Sequence, residues 1–135
     1  MWFEHWEYRR GDVYYADLSS TIGAEICGIR PALVIQNDVG NQFSSTLIVA
    51  PITSRVWKNP HQPTHFYLEH VQGLYLPGMV LMEQIRTIDK KRIVKYVGKV
   101  DPAILNSPEF RKCIYVSLGL IPEECMRGCV ERKTL

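Results

Sequence analysis

Hydrophobic and polar residues alternate through residues 11–17, and this period of two predicts a half-exposed β-strand. Residues 31–36 and 46–52 are continuously apolar, so each is expected to form a strand that enters the core. Turn-forming residues at positions 37–41 end the first of these two strands. We therefore expect the two apolar strands to pair at the centre of the fold.

Weaker patterns continue in the second half of the chain. Residues 65–69 are expected to form an edge strand, and residues 79–88 alternate far enough to predict one long strand. Residues 90–100 mix cations with apolar residues, which suits either a short strand or a helical turn. One face of the long strand would carry Val80, Met82, Gln84 and Arg86, and the other would carry Glu83 and Ile85.

The hydrophobic period changes near the C-terminus. Ser107 is a favourable helix cap, and Pro108 follows it at the first helical position. Residues of one face then recur at spacings of three and four, which predicts an amphipathic helix that ends near Gly119. That face consists of Phe110, Cys113, Ile114, Ser117, Leu118 and Ile121.

Strands followed by one packing helix predict a mainly β fold, a small strand-dominated barrel or sheet, in a single domain over residues 1–135. We expect the core at about residues 9–121 and a polar tail at residues 122–135. Residues 18–29 and 54–63 show no period and are expected to be long loops. Loops of that length inside a compact domain commonly carry function.

The charge and composition of the chain leave its partners open. The 135 residues carry a net charge of +2, with a pI of about 8.4, so a local patch would have to provide any nucleic-acid binding. No apolar run approaches the ~20 residues that span a bilayer. Glu4, His5 and Glu7 interrupt the N-terminal aromatic residues, so we expect no signal peptide and a cytoplasmic location.

The cysteines and histidines do not have the spacing of a metal site. Cys125 and Cys129 are separated by three residues, which does not match a C-x-x-C pair, and we expect structural thiols in a reducing cell. His61 and His65 are a weak indication of a metal, and the other histidines add no zinc-like spacing. No metal or cofactor is expected.

Arg30 lies between Gly28 and Pro31, at the start of a strand whose next residues are apolar. A guanidinium held in such a place usually faces an anion, because its planar donors match phosphate or carboxylate oxygens two at a time. Alternatively, Arg30 is a surface cation or forms an ion pair with Glu25. Its role depends on the group that it meets.

Arg30, Thr53 and Glu83 together could support RNA cleavage without a metal. That reaction needs a base for the ribose 2′-hydroxyl, a proton for the leaving 5′-oxygen and a cation beside the phosphate. Arg30 suits charge stabilisation rather than proton abstraction, because it is always charged. Thr53 could donate to a non-bridging oxygen, and Glu83 is the candidate base. Alternatively, Thr53 caps a backbone group and Glu83 lies on a solvated face.

The two long loops carry the planar and polar side chains that binding of single-stranded RNA requires. Trp57 could stack on a base, or its ring could fold back on the barrel. The loop residues that could contact RNA are Ser20, Thr21 and Glu25 in the first loop, and Trp57, Lys58, His61 and Gln62 in the second.

Five segments of the chain carry motifs in a fixed order: RGDVYYADL (10–18), GIRPALVIQND (28–38, followed by Gly40 and Asn41), ITS (52–54), PTH (63–65) and EQIRTIDK (83–90). With these segments, about residues 9–121 resemble the MazF/PemK toxin family of endoribonucleases, of type II toxin–antitoxin systems. One segment alone would be a weak signal, whereas five in the family's order are specific.

The resemblance implies a small SH3-like barrel, MazF/CcdB-like, with a C-terminal helix, working as a homodimer. It implies metal-independent cleavage of single-stranded RNA, including mRNA, at a short sequence, leaving a 2′,3′-cyclic phosphate and a 5′-hydroxyl. The family's catalytic arginine and threonine match Arg30 and Thr53. A cognate antitoxin would bind across the dimer, block the RNA groove and form a DNA-binding complex with the toxin.

Gln84 falls where members of this family contact RNA, whereas Ile26 and Cys27 replace a polar residue and a glycine of the family pattern. An alternative to a nuclease is a non-catalytic RNA-binding module, or a CcdB-like DNA gyrase poison, on the same fold. The RNA-binding residues expected in this chain are Thr21, Glu25, Gly28, Ser54, Trp57, Lys58, His61, Gln62 and Gln84.

Overall fold

The computed structural model describes residues 7–58 and 61–121, which form a mainly β fold with a C-terminal helix, as predicted. None of the helices in these residues has the length and apolar content needed to cross a membrane. The predicted tail, with Cys125 and Cys129, lies outside the described residues. The strands are β1 (Asp12–Asp17), β2 (Ile29–Val34), β3 (Thr46–Thr53), β4 (His65–Leu68), β5 (Gly78–Leu81), β6 (Arg86–Asp89) and β7 (Ile93–Lys99). The α-helices are α1 (Asp38–Phe43), α2 (Pro102–Leu105) and α3 (Pro108–Ser117).

The strands form one seven-stranded sheet in the order β4-β5-β3-β2-β1-β7, and β6 pairs with β3 beside that path. On one side β3 pairs antiparallel with β2, which confirms the expected pairing of the two apolar strands. On its other side β3 pairs with β6 near its start and with β5 near its end. The edge position of β4 agrees with its alternating pattern. β3 is therefore the strand that connects both parts of the sheet.

Both faces of the central strands are buried, which explains why their sequences do not alternate. Leu33 belongs to the apolar cluster that includes Phe110 of α3. The next residue, Val34, points to the opposite face and belongs to a second cluster with Leu47 and Ile88. The sheet thus separates two apolar cores, and α3 packs on one of them.

Helix α3 begins as predicted, because the Ser107 hydroxyl oxygen accepts a hydrogen bond from the Phe110 N–H at 3.3 Å. The predicted apolar face is wrong at its C-terminal end. The helix ends at Ser117, which leaves Leu118 exposed, and Val116 is buried instead. Because the helix ends at Ser117, Leu118 and Ile121 do not continue its core-facing side.

The predicted single strand through residue 88 is wrong, because a 3₁₀ turn at Met82–Gln84 divides it into β5 and β6. The register of β3 gives the reason. Val80 pairs with Ile52, whereas Arg86 pairs with Val49, so six positions along β5 and β6 face three along β3. The additional residues between β5 and β6 cannot pair with β3, so they leave the sheet and form the 3₁₀ turn.

Three further local differences involve short helical segments. The predicted turn at residues 37–41 is the start of α1, which the Asn37 side chain caps. The alternatives for residues 90–100 both occur, since a 3₁₀ turn at Lys90–Arg92 precedes β7. Helix α2 was not predicted, although Asp101 before a proline is a cap signal and its side chain accepts from the Ala103 N–H.

Phe110→Ala is expected to lower the free energy of unfolding by about 3–5 kcal/mol, because it opens a cavity in the core. The ring is fully buried and stands edge-on to Phe66, with 5.2 Å between the ring centroids. Urea denaturation measures the change. Tyr115→Ala, on the exposed side of α3, is the control and is expected to cost less than about 1 kcal/mol. Equal losses in the two variants would contradict the packing described.

Stability is expected to fall at alkaline pH because of Tyr14. Burial raises the pKa of Tyr14 well above its ordinary value of 10.0, and the neighbouring Asp12 carboxylate raises it further. Above pH ~10 the unfolded chain therefore loses a proton that the folded protein keeps, which favours unfolding by about 1 kcal/mol at pH ~11. Urea denaturation at several pH values should show a shallower alkaline loss for Tyr14→Phe. Parallel pH profiles for the two proteins would rule out this role for Tyr14.

Candidate active site

A cavity of about 260 Å³ opens where the start of β2, the end of β3 and the start of β4 meet the 3₁₀ turn after β5. It brings together residues that are far apart in the sequence, since Arg30, Thr53 and Glu83 all line it. Three cations and one carboxylate surround it, a balance that suits an anionic ligand. The charged and polar lining residues are Arg30, Thr53, Arg55, Lys58, His65, Glu83 and Gln84.

Arg30 is the second residue of β2, where it is held by backbone pairing with Ala16 of β1. Its Nε donates to the Cys27 carbonyl oxygen at 3.0 Å, and within the described residues it forms no ion pair with Glu25. Gly28 has φ +88°, a conformation that suits glycine and turns the loop into β2. The loop thus orients the guanidinium through Nε and leaves its outer nitrogens for an anion.

Thr53 is the last residue of β3, opposite Met79 of β5. Its Oγ1 accepts a hydrogen bond from the Arg55 N–H at 3.2 Å, which is the backbone-capping role considered from the sequence. A hydroxyl can accept and donate at the same time. The contact therefore fixes the oxygen of Thr53 and leaves its proton for a group in the cavity.

Glu83 and His65 lie within hydrogen-bond distance of each other at the wall of this cavity. The His65 Nε2 lies 2.8 Å from Oε2 of Glu83, and the Thr64 hydroxyl donates to Oε1 at 2.9 Å. The sequence pattern did not indicate His65 for this site, because the contact depends on the register of β4 with β5 and on the unpredicted turn. The described residues contain no group of three or more His, Cys, Asp or Glu side chains that could hold a metal ion.

Side chains from the second half of the chain hold the loop before β2 at its start and in its second half. The Gln84 side chain contacts the Ile26 N–H and the Ala24 carbonyl, each at 3.4 Å. Arg86 donates to the Leu18 carbonyl at 3.2 Å, and Arg92 donates to backbone carbonyls at the start of the loop. Gln84 thus lies between the cavity and the loop that carries the departures from the family pattern.

The predicted RNA-contacting residues are only partly brought together. Lys58 and Gln84 line the cavity, and Glu25 lines a neighbouring cavity that shares Ile26, Glu83 and Gln84 with it. Trp57 is 73% exposed, so its ring does not fold back on the sheet. The predicted residues that line neither cavity are Thr21, Gly28, Ser54, Trp57, His61 and Gln62.

Comparison with known proteins identifies the family to which the chain is similar. Residues 9–107 match the family of PemK-like, MazF-like toxins of type II toxin–antitoxin systems. Endoribonuclease EndoA of Bacillus subtilis (strain 168) is 44% identical over 114 residues, which cover 84% of this chain and 96% of that protein.

Solved structures show the same fold. A mycobacterial endoribonuclease in complex with its cognate antitoxin superposes with a TM-score of 0.68 at 25% identity, covering 86% of this chain and 99% of that one. MazF from Deinococcus radiodurans gives a TM-score of 0.68 at 25% identity, covering 84% of this chain and 99% of that one. Since the family match spans most of the sequence and the Bacillus relative is aligned nearly end to end, the chain belongs to the PemK-like, MazF-like toxins of type II toxin–antitoxin systems.

Proposed function

We propose that the protein is an endoribonuclease toxin that cleaves single-stranded RNA, including mRNA, at a short sequence without a metal ion. The cavity shared by Arg30, Thr53 and Glu83 is the observation that carries this proposal. It places around one space a carboxylate that can act as the base, a cation that can stabilise charge on the phosphate, and a hydroxyl that can donate to a non-bridging oxygen. The relatives named as endoribonucleases support the same activity.

In the proposed reaction the ribose 2′-hydroxyl attacks the adjacent phosphorus. The Glu83 carboxylate takes the hydroxyl proton, the bond from 2′-oxygen to phosphorus forms, and the bond to the 5′-oxygen breaks. The 5′-oxygen leaves with a proton drawn from solvent. Arg30 pairs with the non-bridging oxygens as their charge grows, and the Thr53 hydroxyl donates to one of them. The products are a 2′,3′-cyclic phosphate and a 5′-hydroxyl.

RNA would approach the cavity along the loops around it. Lys58 and Arg55 attract the backbone phosphates, and Gln84 offers an amide to a base edge. The exposed Trp57 ring is available to stack on a neighbouring base. Contacts from Thr21, Glu25, Gly28, Ser54, His61 and Gln62 would extend this interface.

The partners proposed for the chain follow from its family. We propose that it acts as a homodimer in the cytoplasm and that a cognate antitoxin protein binds it and blocks access of RNA. The complex of toxin and antitoxin would be the form that binds DNA. The mycobacterial endoribonuclease solved in complex with its cognate antitoxin supports the antitoxin as a partner.

Sequencing of RNA ends tests the proposed activity. Purified protein incubated with a long single-stranded RNA, with and without EDTA, should produce the same set of cuts at one short sequence. The fragments should carry 5′-hydroxyl and 2′,3′-cyclic phosphate ends. Intact RNA, combined with gyrase trapped on DNA in a parallel assay, would instead favour a gyrase poison.

A further inference from the structure

The Glu83 carboxylate has two oxygens, and each already accepts one hydrogen bond from β4 or the residue before it. Thr64 Oγ1 donates to Oε1 at 2.9 Å, and the His65 ring nitrogen lies 2.8 Å from Oε2. An ionised carboxylate can accept about four hydrogen bonds. Two contacts therefore hold both oxygens in place and still leave acceptor capacity on each for a hydroxyl in the cavity.

His65 is itself firmly held, which a residue that orients another must be. Its side chain is 8% exposed, whereas that of Glu83 is 39% exposed. The backbone N–H of His65 donates to the Gln62 carbonyl at 2.9 Å. The backbone carbonyl of His65 accepts from the Cys113 thiol of α3 at 3.5 Å. Burial raises the pKa of Cys113 to about 11, so the thiol keeps the proton that it donates.

The register of the sheet explains why this pair forms. His65 lies opposite Leu81, the last residue of β5, and the Met82 N–H donates to the Thr64 carbonyl at 3.0 Å. The 3₁₀ turn then begins directly beside the start of β4. Glu83, in the middle of that turn, is thereby brought over Thr64 and His65.

In the part of the chain that the structure describes, the cations and the carboxylate around the cavity are not paired with each other. Arg30, Arg55 and Lys58 line it, yet within the described residues none of these cations pairs with Glu83. If a cation neutralised the carboxylate, it would lose part of its attraction for phosphate and would weaken Glu83 as a base. An imidazole partner orients the carboxylate and leaves the cations for the RNA backbone.

We propose that His65, assisted by the Thr64 hydroxyl, is the positioning residue that holds the Glu83 carboxylate toward the 2′-hydroxyl of bound RNA. This inference rests on the proposed nuclease function. His65 donates from Nε2 to Oε2 of Glu83 and exchanges no proton with the substrate. Its contribution to the rate therefore passes entirely through Glu83.

A double-mutant cycle tests this proposal with RNA cleavage measured in single turnover. His65→Ala is expected to slow cleavage by about 10- to 100-fold with little change in affinity for a non-cleavable 2′-deoxy analogue. His65→Gln should recover much of the rate, because its amide can donate to Oε2. In a Glu83→Gln background, His65→Ala should cost less than about threefold. His70→Gln, an exposed histidine outside the cavity, is the control.

The same loss from His65→Ala with Glu83 present or replaced would overturn the proposal, because His65 would then act independently of the carboxylate. So would an equal loss in His65→Gln and His65→Ala.

Side-chain ¹⁵N NMR separates this inference from the nuclease proposal. The His65 Nε2–H signal should be present in the wild type and lost in Glu83→Ala. If the wild type shows that signal but cuts no RNA, the nuclease proposal fails and the pairing stands. If the signal is absent, the pairing fails.

Discussion

Arg30→Ala is expected to lower the single-turnover rate of RNA cleavage by about 10³-fold. In the proposed mechanism the guanidinium meets the charge that develops on the phosphate, and loss of such a group typically costs about 10²–10⁵ in rate. The fold should be preserved, because Arg30 is exposed and, among the residues that the structure describes, its side chain makes one hydrogen bond, to the Cys27 carbonyl. Cleavage of an oligonucleotide that contains the mapped site measures the effect.

Two further variants sharpen this result. Arg30→Lys keeps the positive charge but loses the planar pair of donors, so we expect a rate between those of the wild type and Arg30→Ala. Arg111→Ala removes an exposed arginine of α3 that lies away from the cavity, and it should cleave at the normal rate. If Arg30→Ala cleaved within about threefold of the wild type, the site would have to be placed elsewhere.

Glu83→Gln is expected to slow cleavage by about 10²–10³-fold, because an amide cannot take the 2′-hydroxyl proton. Glutamine has nearly the same shape and can still accept from Thr64, so the change removes the base with little disturbance of the cavity. Affinity for the 2′-deoxy analogue should stay within a few-fold. A rate reduced with affinity unchanged is the signature of an interaction made in the transition state.

Glu69→Gln provides the matched control, since Glu69 is an exposed carboxylate just after β4 that lines neither cavity. It should leave cleavage unchanged. Full activity in Glu83→Gln would show that another group takes the proton and would remove Glu83 from the mechanism. The cleavage rate of Glu83→Asp tests how closely the carboxylate must approach the RNA, because the shorter side chain keeps the base but moves it back from the cavity.

The strands could be predicted from the sequence because their signals are local. Alternation identified β1, and continuous apolar runs identified β2 and β3 as the strands buried on both faces. The break between β5 and β6 could not be predicted this way. Alternation continues through Met82–Gln84, and the turn is required only by the pairing of both segments with β3.

The residues of the candidate site differ in the same way: some are indicated by their neighbours in the sequence, and others only by contacts between distant segments. Arg30 could be proposed because it lies between the flexible Gly28 and the rigid Pro31, at the start of an apolar strand. Thr53 followed from its place at a strand end. His65 could not be linked to Glu83, because only the register of two strands and the unpredicted turn bring them within 2.8 Å.

The order in which the site is completed along the chain has a consequence for synthesis of the protein. β2 and β3 can pair as soon as residue 53 is available, but Glu83 joins Arg30 and Thr53 only when β5 and β6 have paired with β3. His65 in turn contacts Cys113 of α3. Since domains fold as units, a growing chain on the ribosome cannot complete the proposed site until the residues of α3 have emerged. A nascent chain that stops before α3 is therefore expected not to cleave RNA.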